Sequence, residues 1–260
     1  MLLLLSTLFS QGQSVIYAVD FGVIPDSRQN ASEAVAKAVK ACSTTSGTVL
    51  ELPTGRIDLW PEGSEKRELY ISNCTESDTL SKIKSIAFCF ENCKNLTLKG
   101  NNTLIVLHEK MVSFALLNCE NVNITNISFD YERPSMSELS ILSATDKQVL
   151  AQIHPDSWYR ISDNKIEFYG EGWICKRYHT ILTDPATGIM KYSSFKPFAE
   201  AVAEEISPGK VLFKGDFDKT QFPSGSSLSI RDPYRDNCGA LISRSKNITL
   251  RISKCSICTD

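Results

Sequence analysis

The residues best equipped for chemistry stand in two short phrases. Asp130-Tyr131-Glu132-Arg133-Pro134 sets two carboxylates beside a guanidinium. Acid–base work on a sugar needs such a set, because one carboxyl must give a proton while another takes one. Tyr169-Gly170-Glu171-Gly172-Trp173 joins a carboxylate to an aromatic face between glycines, a combination that holds sugars by stacking plus one charged hydrogen bond. Both phrases have plainer explanations: Glu132 and Arg133 could form an ion pair at a domain junction, and Trp173 could pack into a core beneath an exposed turn. Arg231-Asp232-Pro233-Tyr234-Arg235-Asp236 is equally well explained as a salt-bridged loop. His108, His154 and His179 have neither metal-ligand nor triad spacing and read as surface or hydrogen-bonded histidines.

These phrases sit in a chain of 260 residues, 42% hydrophobic and 22% charged, ample for a packed core and for one or two domains. A net charge of −2, with no run of Lys or Arg, offers no field for nucleic acid or an anionic membrane. Neutral partners fit better. The nine cysteines are odd in number and loosely spaced, unlike a small disulfide scaffold. Cys255-Ser256-Ile257-Cys258 has metal-pair spacing, but neither a second pair nor a His follows, so no metal site is expected. Met1 to Ser10 reads as the apolar core of a secretory signal without its basic leader. It is too short to span a bilayer, and cleavage is expected near Gly12 or Ser14.

The elements that must position the chemistry announce themselves by repetition. Asn92-Cys93-Lys94-Asn95-Leu96-Thr97-Leu98 recurs as Asn118-Cys119-Glu120-Asn121-Val122-Asn123-Ile124, and again as Ser245-Lys246-Asn247-Ile248-Thr249-Leu250. The first two copies are 26 residues apart. A turn-forming Asn followed by alternating apolar residues at that period suits one coil of a parallel β-helix, in which equivalent positions stack. Cys93 and Cys119 would then sit on adjacent rungs, as a thiol pair or a disulfide. Seven Asn-x-Ser/Thr sequons, at Asn30, Asn73, Asn95, Asn101, Asn123, Asn126 and Asn247, mostly fall inside the rung phrase and read as turn and strand chemistry.

Before the rungs, Asn30 precedes Glu33 in capping-box spacing, and Val35, Ala38, Val39 and Cys42 follow at helical intervals, predicting a helix over Ser32–Cys42. Between Asn121 and Asn247 the spacing is 126 residues where one rung needs 26. The surplus matches residues 135–234, whose hairpin-like alternation (Gln148–Ile153, Lys165–Tyr169, Lys210–Phe213, Ser227–Ile230) predicts an inserted antiparallel barrel or sandwich.

The order Asp20-Phe21-Gly22, helix, Gly47-Thr48-Val49 and Pro53-Thr54-Gly55 resembles the N-terminal cap of pectin-lyase-like β-helices. With Trp60-Pro61-Glu62-Gly63, Arg67 to Asn73, Asp130 to Pro134, Gly170 to Trp173 and the Asn247 rung, the stretch from Tyr17 to Leu250 is similar to the N-terminal part of the bacterial α-1,3-galactosidases of glycoside hydrolase family 110. That resemblance implies inverting removal of terminal galactose from blood-group-B-type glycans, without metal or organic cofactor, by an exported protein. It also implies paired aspartates in an Asp-Asp-Ala-Ile-Asn-type phrase, and this chain has none.

The resulting expectation is an all-β chain: a probable signal at 1–14, then the cap and first rungs of a right-handed parallel β-helix at 15–134. The inserted domain occupies 135–234, and a resumed helix, cut short, occupies 235–260. Asp130, Glu132, Arg133, Glu171 and Trp173 are the candidates for contact with a galactose-terminated glycan. The catalytic acid and base are expected beyond residue 260. Rival readings are a carbohydrate-binding module without catalysis, and a pectin hydrolase or uronate lyase. The Asn-Thr-Asp and Gly-His-Gly phrases of the pectin hydrolases are absent.

Overall fold

The structure, a computed structural model, describes residues 13–71, 82–175, 180–193, 198–231, 234 and 237–255. The apolar leader through Gly12, the Asn73 sequon, His179, Cys258 and four of the six residues at 231–236 lie outside this set. The described chain is dominated by strands and divides into two compact units, one holding 13–69, 82–131 and 237–255, the other 132–231 and its neighbours.

The first unit begins with β1 (Ser14–Tyr17), helix α1 (Ser32–Cys42), β2 (Thr48–Glu51), β3 (Arg56–Leu59) and β4 (Glu65–Glu68). It continues with β5 (Ile83–Glu91), β6 (Lys94–Leu107), β7 (Met111–Leu117) and β8 (Glu120–Tyr131). The second unit contains β9 (Met136–Ala144), β10 (Gln148–Ile153), β11 (Trp158–Ser162), β12 (Lys165–Gly170), β13 (Trp173–Cys175), β14 (Thr180–Thr183), β15 (Met190–Ser193), β16 (Val202–Ser207), β17 (Lys210–Lys214) and β18 (Ser227–Arg231). The chain then re-enters the first unit as β19 (Ala240–Ser243) and β20 (Lys246–Cys255).

Neighbours in sequence are not neighbours in the first unit's sheets. One sheet runs β1-β2-β6-β8-β20, with β3 also on β6, and the other runs β19-β7-β5-β4. All these pairings are parallel except β4 with β5. From β5 to β8 the chain therefore alternates between the two sheets, and β19 and β20 resume the alternation after the insertion. The repeat sets the register: Leu96 pairs with Val122 and Val122 with Ile248, Leu98 with Ile124 and Ile124 with Leu250.

Asparagine is required at the start of each copy by backbone geometry. Asn95, Asn121 and Asn247 hold φ of 53°, 55° and 57°, the left-handed region that Asn tolerates better than other non-glycine residues. Their side chains form a ladder: Asn247 Nδ2 donates to Asn121 Oδ1 at 2.9 Å, and Asn121 Nδ2 donates to Asn95 Oδ1 at 2.9 Å. Inward-facing Leu96, Leu98, Val122, Ile124, Phe88, Phe90, Phe114 and Phe129 join one buried cluster with Val35, Ala38, Val39 and Cys42 of α1. The helix closes on the spacing expected for it, with one change at its start. Asn30 accepts from the Ser32 N–H at 2.9 Å, while Glu33 pairs with Lys37 at 2.7 Å instead of completing a capping box.

In the second unit a seven-stranded antiparallel sheet runs β15-β14-β18-β9-β10-β17-β16, and a three-stranded sheet runs β11-β12-β13. Neither closes on itself among the described residues, because β15 and β16 at the ends of the larger sheet do not pair with each other. Phe168, Phe213, Leu139, Val149, Val211, Ile230 and Trp173 make a second buried core of their own.

Candidate functional site

The densest buried titratable group in the first unit forms around Asp58 of β3. Strand alternation puts Arg56, two residues earlier, on the same face, and its Nε reaches the two Asp58 carboxylate oxygens at 3.0 and 2.9 Å, with Nη2 also on Oδ1. The β3–β6 pairing and a bond from the His108 N–H to the Leu59 carbonyl at 2.9 Å fix His108 just past the end of β6. Its Nε2 stands 3.0 Å from Asp58 Oδ1. Trp60 closes the group by stacking on the imidazole, ring centroids 3.6 Å apart and 8° from parallel.

Asp58 and His108 are only 2% and 6% exposed. Burial opposes charge on Asp58, but hydrogen bonds from Arg56 and His108, and the guanidinium charge, outweigh it and hold the carboxyl below the ordinary aspartate value. An ionised carboxylate only accepts, so Nε2 carries the proton in this bond. The arrangement can orient an imidazole and hold a proton at a fixed atom.

The Trp60-Pro61-Glu62-Gly63 phrase is pinned to the start of α1. Ser32 Oγ donates to the Trp60 carbonyl at 2.7 Å, the Trp60 N–H returns a bond to Ser32 Oγ at 2.8 Å, and Asn30 Nδ2 donates to the Glu62 carbonyl at 3.0 Å. Gly63, at φ 79°, backs against Glu33, where an added Cβ would come within 3.1 Å of the backbone nitrogen.

The candidates named from sequence are dispersed. Asp130, half-buried at the end of β8, accepts the Tyr131 N–H at 2.8 Å, and the Tyr131 hydroxyl donates to the Met111 carbonyl. Glu132 is exposed. Arg133 donates from Nη1 to the Asp156 carbonyl at 3.1 Å and lies over the Trp158 ring, 4.4 Å from its centroid. Its Nε is buried with no hydrogen-bond partner among the described residues.

Glu171 is half-buried in the turn between β12 and β13. Trp173 is buried. It is 8% exposed, within the second core, and lies so close over Gly170 that an added Cβ there would meet its Nε1 at 2.3 Å. The indole is used in packing and presents no face to solvent. Gly170 is therefore needed for a close approach.

Cys93 and Cys119 stack as expected and are free thiols, both buried, with Glu120 N–H donating to the Cys93 carbonyl at 2.9 Å. The hydrogen bond with Cys119, then burial, pushes the Cys93 thiol up. Burial lifts Cys42 to about 12 and Cys89 to about 11, so these thiols fill space rather than act as nucleophiles. His154 is exposed, with Nδ1 accepting from the Asp156 N–H at 3.2 Å.

Sequence reasoning missed the Asp58–His108 pair, whose members stand 50 residues apart. The available local signal was Arg56-Ile57-Asp58, opposite charges at strand spacing in an otherwise apolar stretch. Nothing local pointed to His108.

Comparison with known proteins adds a relation that the geometry does not supply. Residues 137–228 match the family described as GLAA-B beta-barrel domain I. The chain is 38% identical over 93% of its length to Alpha-1,3-galactosidase A of Bacteroides fragilis, covering 40% of that protein. It is 29% identical over 91% of its length to Alpha-1,3-galactosidase B of Bacteroides thetaiotaomicron, covering 39% of it. For Alpha-1,3-galactosidase B of Akkermansia muciniphila the values are 24%, 91% and 30%. The chain thus spans 30–40% of the length of these curated relatives.

Proposed function

We propose that the chain belongs with the α-1,3-galactosidases it resembles, and that it serves a glycoside hydrolase that removes terminal α-1,3-linked galactose from blood-group-B-type glycans with inversion. The observation that carries this reading is the 38% identity over 93% of the chain. The inserted unit supports it, because its family match covers 137–228 independently of the rungs.

Inversion needs a carboxylic acid to protonate the leaving oxygen and a carboxylate to activate water on the opposite face, about 6.5–9.5 Å apart. No residue of this chain is assigned to either role. Its proposed contribution is the scaffold and part of the glycan contact, through Glu171, Asp130, Glu132 and Arg133.

The scaffold itself is proposed to be a right-handed parallel β-helix, capped by α1, interrupted by the domain at 135–234 and resumed at 235. The passage of the chain between two parallel sheets and the in-register Asn ladder support this. Export is proposed from the apolar run Met1 to Ser10, with the first 14 residues as its signal. Among the described residues no helix is long and apolar enough to cross a membrane.

The test is incubation of the purified chain with a B-type trisaccharide, following free galactose and its initial anomer by NMR alongside ligand binding by saturation transfer. Release of β-galactose above a no-protein blank supports the hydrolase reading. Binding without release favours the carbohydrate-binding alternative, and neither binding nor release overturns both.

A further inference from the structure

We propose that the outer face of the three-stranded sheet β11-β12-β13 is a binding site for a neutral galactose-containing oligosaccharide. The proposal rests on the carbohydrate reading above and names a surface for it.

Strand alternation makes the face. In the register of these strands Trp158 pairs with Tyr169, Arg160 with Glu167, and Tyr169 in turn with Ile174. The intervening residues, Tyr159, Ile161, Phe168, Trp173 and Cys175, belong to the second core or pack against it. Side chains on alternate positions point to opposite sides, so Trp158, Tyr169 and Ile174 form a row across the outside, about 10 Å wide from two interstrand spacings. Trp158 and Tyr169 lie 5.7 Å apart at 48°, both half-buried, and Ile174 is 41% exposed.

Beside this apolar row runs a polar one. Arg160 donates from Nε to Glu167 Oε2 at 2.7 Å, and its guanidinium carbon lies 5.9 Å from the Tyr169 ring centroid. The Arg160 side chain is 57% exposed and that of Glu167 11%. The Arg160 and Glu167 charges offset one another, and the Arg133 guanidinium over Trp158 adds a donor beside the aromatic row.

Such a surface matches a sugar. A pyranose offers a C–H face that packs on an aromatic ring, and hydroxyls that accept from a guanidinium and donate to a carboxylate. Arg133, bonded to the Asp156 carbonyl and stacked on Trp158, holds the indole in one orientation before any ligand arrives. A cross-strand aromatic pair alone would explain sheet stability. It would not explain an exposed Ile174 and an ion pair continuing the same face outside a core already closed on the other side.

The test titrates the full chain with α-1,3-galactobiose, read by tryptophan fluorescence and saturation-transfer NMR, with cellobiose and galacturonate as competitors. Tyr169→Ala and Arg160→Ala are each expected to weaken binding about three- to tenfold, the scale of one stacking or charged hydrogen-bond contact. Tyr169→Phe retains binding, and Lys147→Ala, in the turn between β9 and β10, leaves it unchanged. Far-UV circular dichroism verifies that each variant is folded, and Arg160→Ala, at an exposed position, keeps the test alive if Tyr169→Ala does not fold. Parent-like binding by folded Tyr169→Ala and Arg160→Ala overturns the proposal, as does absence of binding to the parent, or equal affinity for cellobiose or galacturonate. Loss of binding in these variants with no galactose release in any sample keeps this site and sinks the hydrolase reading for the chain. Galactose release unaffected in all of them does the reverse.

Discussion

Replacing Asp58 by Asn removes the buried carboxylate charge that the largely enclosed Arg56 guanidinium pairs with, and weakens the bond that orients His108. Breaking one partner of a buried, hydrogen-bonded pair costs about 3–5 kcal/mol. The loss is expected as a lower urea midpoint at pH 7, with the slope unchanged. The same residue predicts a pH dependence. Its folded-state carboxyl lies below the ordinary value of 3.8, so its contribution is complete above that value and declines as pH falls through and beneath it. Asp58→Asn should therefore show a shallower fall of stability below about pH 4 than the parent, measured by urea unfolding at successive pH values. Parallel acid limbs in the two proteins would show that Asp58 does not govern this part of the curve. From sequence, Asp58 is one aspartate among many. The fold gives it this weight by bringing Arg56, His108 and Trp60 around it.

At the scale of the element, the Asn column is the device that turns the chain at the start of each repeated strand and ties that strand to the next. Asn121 both donates to Asn95 and accepts from Asn247, at φ 55°. Asn121→Ala loses two hydrogen bonds of about 0.5–1.5 kcal/mol each and places an alanine in the left-handed region, at a further cost of about 1 kcal/mol. Asn121→Gly loses the same bonds but accepts that backbone conformation readily. The order of denaturation midpoints is expected to be parent, then Gly, then Ala. Equal midpoints for Gly and Ala would mean that the turn relaxes and that φ is not what selects asparagine. This element was the most legible part of the chain, because turn, period and inward alternation are all written in one short phrase. The bulge within β6 was less so. Gly100 lies where an added Cβ would be 2.4 Å from the Asn126 carbonyl oxygen, a contact set by the neighbouring strand β8.

For the whole molecule, two separate cores predict two separable contributions to stability. Phe129 is fully buried in the first cluster and Phe213 in the second, and the clusters share no residue. Each Phe→Ala change is expected to cost about 3–5 kcal/mol. Because the sites have no common partners, the double variant should lose the sum of the single losses to within about 0.5 kcal/mol. Calorimetry of the three variants measures this. A double variant that loses much less than the sum would show that the two cores do not contribute independently.

The sequence by itself determined the all-β class, the helix at Ser32–Cys42, the asparagine turns and the register of the repeated strands, because each depends on residues a few positions apart or on an evenly repeated phrase. The family resemblance was legible too, and the 38% identity to a curated relative bears it out. Only the tertiary structure decided what Trp173 and Trp158 do. Both lie in short strands of the same three-stranded sheet, yet the first falls on the buried face and the second on the outer one. A strand has two faces and its sequence does not mark which is covered, since that depends on the sheet packed against it. The same reason hid the Asp58–His108 pair: its members are distant in sequence, and only the parallel pairing of β3 with β6 brings them within a hydrogen bond.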